Sequence, residues 1–163
     1  MEYVTSAFER KMTTVAVFLD ISKAYDSTWH TGLIYKLVTM NFPVELIGVI
    51  DSFLAQRSLR VKMDGAFSGW SPLLAGVPQG SLLSLLLYNL YTSDIPTSIV
   101  SELALYADEI CINDLTRKPK YAYLSVQHHL KDIGRWVSRS RIKINSDKSS
   151  AISFSREEND QRA

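Results

Sequence analysis

Asp20 closes an apolar run at residues 15–19, and Asp108 and Glu109 stand together in Tyr-Ala-Asp-Glu at residues 106–109. If the strands carrying them pair side by side, these carboxylates can clamp a pair of divalent cations. Between them in the chain lies Gly-Val-Pro-Gln-Gly-Ser-Leu-Leu-Ser, residues 76–84, a loop stiffened by Pro78 and then freed by Gly80. Such a set suits metal-assisted phosphoryl chemistry. Two cations about 3.5–4 Å apart neutralise charge on the leaving and bridging oxygens and lower the pKa of an attacking hydroxyl. Taken singly, Asp20 reads as a strand-end or turn aspartate, and the 76–84 loop as mere punctuation before a helix.

The elements that must position these groups can be read from periodicity. Residues 13–19 are β-branched and apolar on both faces, as in a central strand covered on each side, and Asp20 ends it. Residues 22–28 form a turn-rich passage. Leu33, Leu37 and Met40 predict a helix over 30–40. Leu46, Val49, Ile50 and Phe53 predict another over 43–55, with Pro43 near its start. Residues 58–63 read as a strand, Asp64-Gly65 as a hairpin turn, and residues 66–74 as the antiparallel return. A leucine-rich helix should start near Ser81, run buried through Tyr91 and stop before Pro96.

Two short apolar runs, 102–106 and 110–114, predict a hairpin with Ala107, Asp108 and Glu109 at its tip. Residues 121–139 predict a helix with Leu124, Gln127, His128, Lys131 and Arg135 around a partly apolar face. Ile142, Ile144 and residues 151–154 supply final strand material, and the polar residues 155–163 should fray. The order predicts an α+β fold with helices on one face of an antiparallel sheet.

Composition narrows the class. A chain of 163 residues, 46% hydrophobic and 21% charged, predicts one globular domain. A net charge of +1 gives little general attraction for nucleic acid. Locally, Lys131, Arg135, Arg139, Arg141, Lys143 and Lys148 face only Asp132 and Asp147, either a solvated helix face and turn or a phosphate-tracking surface. Cys111 is the only cysteine, which excludes an intrachain disulfide, favours a reducing, intracellular setting and suits a packed position between Ile110 and Ile112. No secretion signal is read at the start. The longest apolar stretch, 82–91, falls short of the roughly 20 residues of a membrane span. His30, His128 and His129 lack zinc-like spacing.

Taken in order, these segments resemble the palm region of reverse transcriptases, especially the jockey-like enzymes of non-LTR retrotransposons. Phe-Leu-Asp-Ile-Ser-Lys-Ala-Tyr-Asp-Ser-Thr-Trp-His, residues 18–30, resembles the first catalytic motif. Residues 76–94 resemble the nucleotide- and template-contacting motif, and residues 106–109 stand in place of the Tyr-x-Asp-Asp hairpin. Residues 136–145 and 148–154 resemble the segment closing the palm. The likeness spans residues 13–155 and implies a palm with a ferredoxin-like, split βαβ core, incomplete fingers and no thumb. It implies RNA-directed DNA polymerase activity, with an RNA template, a DNA primer, deoxynucleoside triphosphates and two Mg2+ ions, or Mn2+ in their place.

The resemblance also assigns roles. Asp20 and Asp108 become shared metal ligands, Glu109 the second hairpin acid, and the Ile21 carbonyl a ligand of the triphosphate-bound ion. Amides of Lys23 and Ala24 would donate to phosphates, and the Tyr25 ring would lie under the sugar and exclude a 2′-hydroxyl. Gln79 and Gly80 would contact nucleotide and template, and Lys148 would donate to departing pyrophosphate. The residues alone leave Tyr25 open as a core tyrosine and Lys148 as an exposed lysine where the chain enters a strand. Asp26 reads as a cap or turn residue and Trp136 as core.

Two positions depart from the family pattern. Leu85 replaces a proline suited to a first helical turn. Glu109 replaces aspartate and reaches about 1.5 Å further. These departures support a rival reading, a catalytically inactive retroelement remnant that keeps the palm fold and at most weak nucleic-acid affinity.

Overall fold

In a computed structural model that describes residues 12–154, the β-branched run after Met12 forms strand β1 (Thr13–Ile21), two residues longer than the apolar run predicts. It is one of the two inner strands of an antiparallel sheet that also contains β6 (Glu102–Tyr106), β7 (Glu109–Thr116) and β8 (Ile144–Phe154), in the order β6-β7-β1-β8. Because β7 pairs antiparallel with both β6 and β1, those two run parallel with β7 inserted between them. That is the split βαβ arrangement of an antiparallel palm sheet. The α+β expectation holds. Cover on both faces of β1 holds only at its start: residues 13–16 are buried, whereas Phe18 is exposed.

The helix closing this unit, α4 (Pro119–Arg139), packs on β1 and β7. Its buried stripe is Ala122, Val126, His129, Ile133 and Trp136, spaced three or four apart. The face predicted from Leu124, Gln127, His128, Lys131 and Arg135 is instead exposed. Leu124 drew the reading to the wrong side, because the true stripe includes a histidine and an alanine. His129 is tolerated inside because both ring nitrogens are used. Nε2 donates to the Pro96 carbonyl at 2.8 Å, which leaves Nδ1 to accept from the Ser101 hydroxyl at 2.8 Å.

These elements make up one of two compact units among the described residues: 12–22, 95–139 and 143–154. Residues 23–94 and 140–142 form the other. In the second unit, α1 (His30–Thr39) packs against α2 (Val44–Leu54) and α3 (Leu82–Thr92). Leu33, Leu37, Ile50, Leu54, Leu87, Tyr88 and Tyr91 are buried there. The Tyr91 hydroxyl donates to the Ser140 carbonyl, and burial, more than any neighbouring charge, pushes the phenol pKa up.

Three expectations need correction in this unit. Helix α3 is not buried all round: Ser84, Leu87, Tyr88 and Tyr91 form its inner stripe, while Leu85 and Leu86 are exposed and Leu82 is 89% exposed. In α2 the buried pair is Ile50 and Leu54, and Leu46 and Val49 face outward. The predicted continuous strands 58–63 and 66–74 are two short ladders. Strand β2 (Ser58–Leu59) pairs with β5 (Ser71–Pro72), and β3 (Lys62–Met63) with β4 (Ala66–Phe67). The register shifts by one residue between the ladders, with one residue more on the return side, as in a bulge. Asp64 and Gly65, at φ 50° and 83°, make the expected two-residue turn. The predicted fraying of residues 155–163 lies outside the described residues.

The buried stripe of α4 and the open side of α3 should respond differently to truncation. Trp136→Ala, at a site 1% exposed, should lower unfolding free energy by about 3–5 kcal/mol. Leu82→Ala should change it by less than about 0.5 kcal/mol, both read from urea midpoints at unchanged slope.

Candidate active site

The register of β1 against β7 sets the relation of the acidic residues, all within the first unit. Asp20 and Glu109 are direct partners, and the Ile21 amide donates to the Asp108 carbonyl at 3.0 Å. Bonded and non-bonded pairs alternate along an antiparallel ladder, so Asp20 and Glu109 form a non-hydrogen-bonded pair. Opposed Cα atoms then lie about 4.5 Å apart and side chains approach most closely. Asp108 sits in the tight turn between Tyr106 and Glu109, beside Ala107, whose φ is 53°. A non-glycine residue in that region is strained by roughly 1–2 kcal/mol. Glu109, predicted at the tip, belongs to β7 itself, opposite Tyr106.

The other edge of β1 meets β8. Asp20 pairs with Asn145 and Phe18 with Ser150, so residues 146–149 bulge out opposite Leu19 alone. The Asp20 amide donates to Ser149 Oγ at 3.3 Å, and that hydroxyl donates to the Asn145 carbonyl at 2.7 Å. Lys148 lies exposed in the bulge.

Glu109, Cys111 and Phe18 share a sheet face with Asp20, since Phe18 pairs with Cys111. Half-burial, then the Glu109 charge, push the Cys111 thiol pKa up. Among the described residues no ion pair engages Asp20, Asp108 or Glu109, and no three His, Cys, Asp or Glu side chains are gathered as a ready-made metal cluster. The all-oxygen donors and the facing carboxylates nevertheless fit Mg2+, which binds through one or two carboxylates, water and substrate phosphates rather than in an all-protein cage.

Three further predicted residues, Tyr25, Gln79 and Gly80, line a cleft of about 410 Å³ in the other unit together with Ser81, Leu82, Ser84 and Leu85. Tyr25 is half-buried, its ring tilted 40° against Tyr88 at 4.9 Å between centroids. The 76–80 loop is stitched to the preceding turn by the Gly76 amide on the Thr28 carbonyl and the Val77 amide on the Tyr25 carbonyl, both at 2.8 Å. Gly76 is required here. Its φ is +91°, and a Cβ would lie 2.9 Å from the Asp26 carbonyl oxygen. Lys23 is exposed at φ 49°, Ala24 is buried, and their amides carry no hydrogen bond among the described residues.

Comparison with known proteins now bears on this arrangement. The sequence model of the family described as reverse transcriptase (RNA-dependent DNA polymerase) matches residues 2–161. The chain belongs to the reverse transcriptase family. It is 35% identical over 162 residues to the RNA-directed DNA polymerase from mobile element jockey of Drosophila melanogaster, covering 94% of this chain and 18% of that protein. It is likewise 35% identical over 159 residues to the probable RNA-directed DNA polymerase from transposon X-element of the same fly, covering 94% of this chain and 17% of that protein. The chain thus spans under a fifth of the length of these relatives. Two telomerase structures from Candida tropicalis share the fold. The apo form, truncated from its C-terminal domain, gives a TM-score of 0.64 at 15% identity, over 96% of this chain and 34% of that one. The form in complex with a TWJ fragment of telomeric RNA gives 0.66 at 13%, over 93% and 28%. Within the reverse transcriptases, the sequence kinship is with jockey-like elements of the non-LTR type.

Two partners escaped the reading of this reverse transcriptase sequence. Ser149 is one of a Ser-Ser pair without any local signal, and it meets Asp20 only because β8 bulges. Asp26, read as a cap or turn residue, accepts from the Gln79 side-chain amide at 3.0 Å. Among the described residues no helix is long and apolar enough to cross a membrane.

The raised Cys111 pKa gives a check on Glu109. The pH profile of Cys111 alkylation should lie above that of a free thiol, since the folded state disfavours the thiolate. Glu109→Gln should move it to lower pH by removing the smaller, charge-based cause, while burial keeps it above the free value.

Proposed function

We propose that residues 13–155 are mainly the palm of one reverse transcriptase domain that adds deoxynucleotides to a DNA primer 3′-hydroxyl opposite an RNA template. The observation that carries the proposal is the ladder joining Asp20 to Glu109 and the Ile21 amide to the Asp108 carbonyl, in a chain whose family is reverse transcriptase. Asp20 and Asp108 would hold two Mg2+ ions, or Mn2+, with the Ile21 carbonyl as a further oxygen ligand and Glu109 as the second hairpin acid. The bound ions supply charge neutralisation at the phosphates and acidify the primer hydroxyl. Oxygen donors suit such hard cations.

The placement of each residue supports the remaining roles. Lys23 and Ala24 carry two uncommitted amides in a turn with a left-handed residue, a backbone arrangement that favours phosphate oxygens. Tyr25 presents a ring to the cleft, backed by Tyr88, and a rigid ring there excludes a ribose 2′-hydroxyl. Gln79 is held by Asp26 through its amide nitrogen, which leaves its carbonyl oxygen to receive a donor from nucleotide or template. Gly80, at φ 84°, allows close approach. Lys148 presents a protonated amine from the β8 bulge for departing pyrophosphate.

Glu109 favours a second reading, a remnant that keeps the fold without turnover. The extra methylene displaces a carboxylate by about 1 Å or more, and a misplacement of that size costs about a hundredfold in rate.

Primer extension on an RNA template with Mg2+ tests the proposal, both in this chain and in a chimera that carries it within the full-length jockey polymerase. Incorporation should fall at least about a hundredfold in Asp20→Ala and rise in Glu109→Asp. Incorporation that persists in Asp20→Ala, or none in either protein even after Glu109→Asp, overturns it.

A further inference from the structure

The ribbon β2–β5 has no evident reason in the packing for its composition. Every residue from Ser58 to Pro72 is exposed, yet the segment carries Phe67, Trp70, Arg60 and Lys62. Phe67 and Trp70 are 53% and 66% exposed, so neither ring fills a core. Their placement is ordered nonetheless. Lys62 and Phe67 are cross-strand partners and so share a face, and Arg60 joins them two residues earlier. The Arg60 guanidinium lies 4.0 Å from the Phe67 ring centre and 4.7 Å from that of Trp70, and the Lys62 ammonium 5.4 Å from Phe67. The other face carries the aliphatic Leu59, Val61 and Met63. Two cations and two open rings thus line one side of a two-stranded ribbon whose one acid, Asp64, sits at its turn.

We propose that this face of the ribbon is a stacking platform for single-stranded nucleic acid. Open aromatic rings accept unpaired bases irrespective of sequence, and guanidinium and ammonium groups beside them meet the phosphates. Charge complementarity points to a polyanion, and the exposure of both rings points to unpaired bases, which a duplex keeps stacked inside. The cation-π contacts hold Arg60 over the rings before any ligand arrives, so less side-chain freedom is lost on binding. The ribbon shares only its class of partner with the proposed polymerase reading and does not depend on turnover.

Trp70 is its own probe, because Trp136 is buried and Trp29 only partly exposed. Titrating the full chain with a 12-nucleotide oligouridylate should quench tryptophan emission. Trp70→Phe should remove most of that quenching while keeping affinity, measured by anisotropy of a labelled oligonucleotide. Trp70→Ala and Phe67→Ala should each weaken binding about tenfold. Arg60→Ala should weaken it and lower the dependence of log affinity on log salt by about one. The ribbon has no buried residue, so these variants should unfold at the wild-type urea midpoint. The proposal is overturned if oligouridylate does not bind, if these variants bind it as well as the wild type does, or if duplex RNA of equal length binds as tightly. It is also overturned if Trp70→Ala instead abolishes a concentration-dependent self-association, which would make the ribbon a contact between copies. Primer extension that survives loss of ribbon binding would leave the polymerase reading intact, and the converse would leave the ribbon intact.

Discussion

The register of β1 against β7 is the constraint on which the carboxylate end depends. Antiparallel pairing puts directly opposed residues on one face, so Leu19 with Ile110 and Val17 with Ile112 lie on one side, and Asp20 with Glu109 and Phe18 with Cys111 on the other. Ile110 and Ile112 are almost fully buried. A slip of one residue would carry both isoleucines out to the exposed face and bring Glu109 and Cys111 inward. Burying an unpaired carboxylate costs several kcal/mol, and exposing two isoleucines adds about 3–6 kcal/mol by area. The hydrophobic effect therefore holds Asp20 opposite Glu109 without any contact between their charges.

Around that ladder the backbone departs from ideal geometry where function would need it. The turn after β6 places Ala107 at positive φ, the turn after β1 does the same with Lys23, and β8 bulges beside Asp20. Gly76 takes a conformation and a closeness to Asp26 that a side chain would obstruct. Strain of this kind persists where the surrounding structure over-determines it, and it gathers at sites that bind or react. Lys23, Gly76 and Ala107 lie in segments that resemble the family's motifs, whereas Asn41, Gln56 and Asp64 take the same left-handed backbone in turns outside them.

Much of the fold was legible because the signals were local. β1 was marked by a dense β-branched run, the β6–β7 hairpin by two apolar stretches around Ala107 and Asp108, and the start of α3 by Pro78 and Gly80. Burial was less legible, since an apolar residue says nothing of which side its element is covered on. Leu82, Leu85 and Leu86 are as hydrophobic as Leu87 yet face outward, and in α4 His129 is buried while Leu124 is not. The candidate acids could be named from their order along the chain. The links of Ser149 to Asp20 and of Asp26 to Gln79 could not, because each joins segments far apart through a bulge or a turn that has no sequence signature.

The central claim, that β1 and the β6–β7 turn present Asp20 and Asp108 to the same cations, is most directly tested by titrating the isotopically labelled chain with Mn2+ and following paramagnetic broadening of the backbone amides. The account predicts that residues 20–21 and 108–109 broaden first and together at substoichiometric Mn2+, and that Asp20→Ala abolishes the effect at both segments. Broadening centred elsewhere, or at one segment without the other, would contradict it.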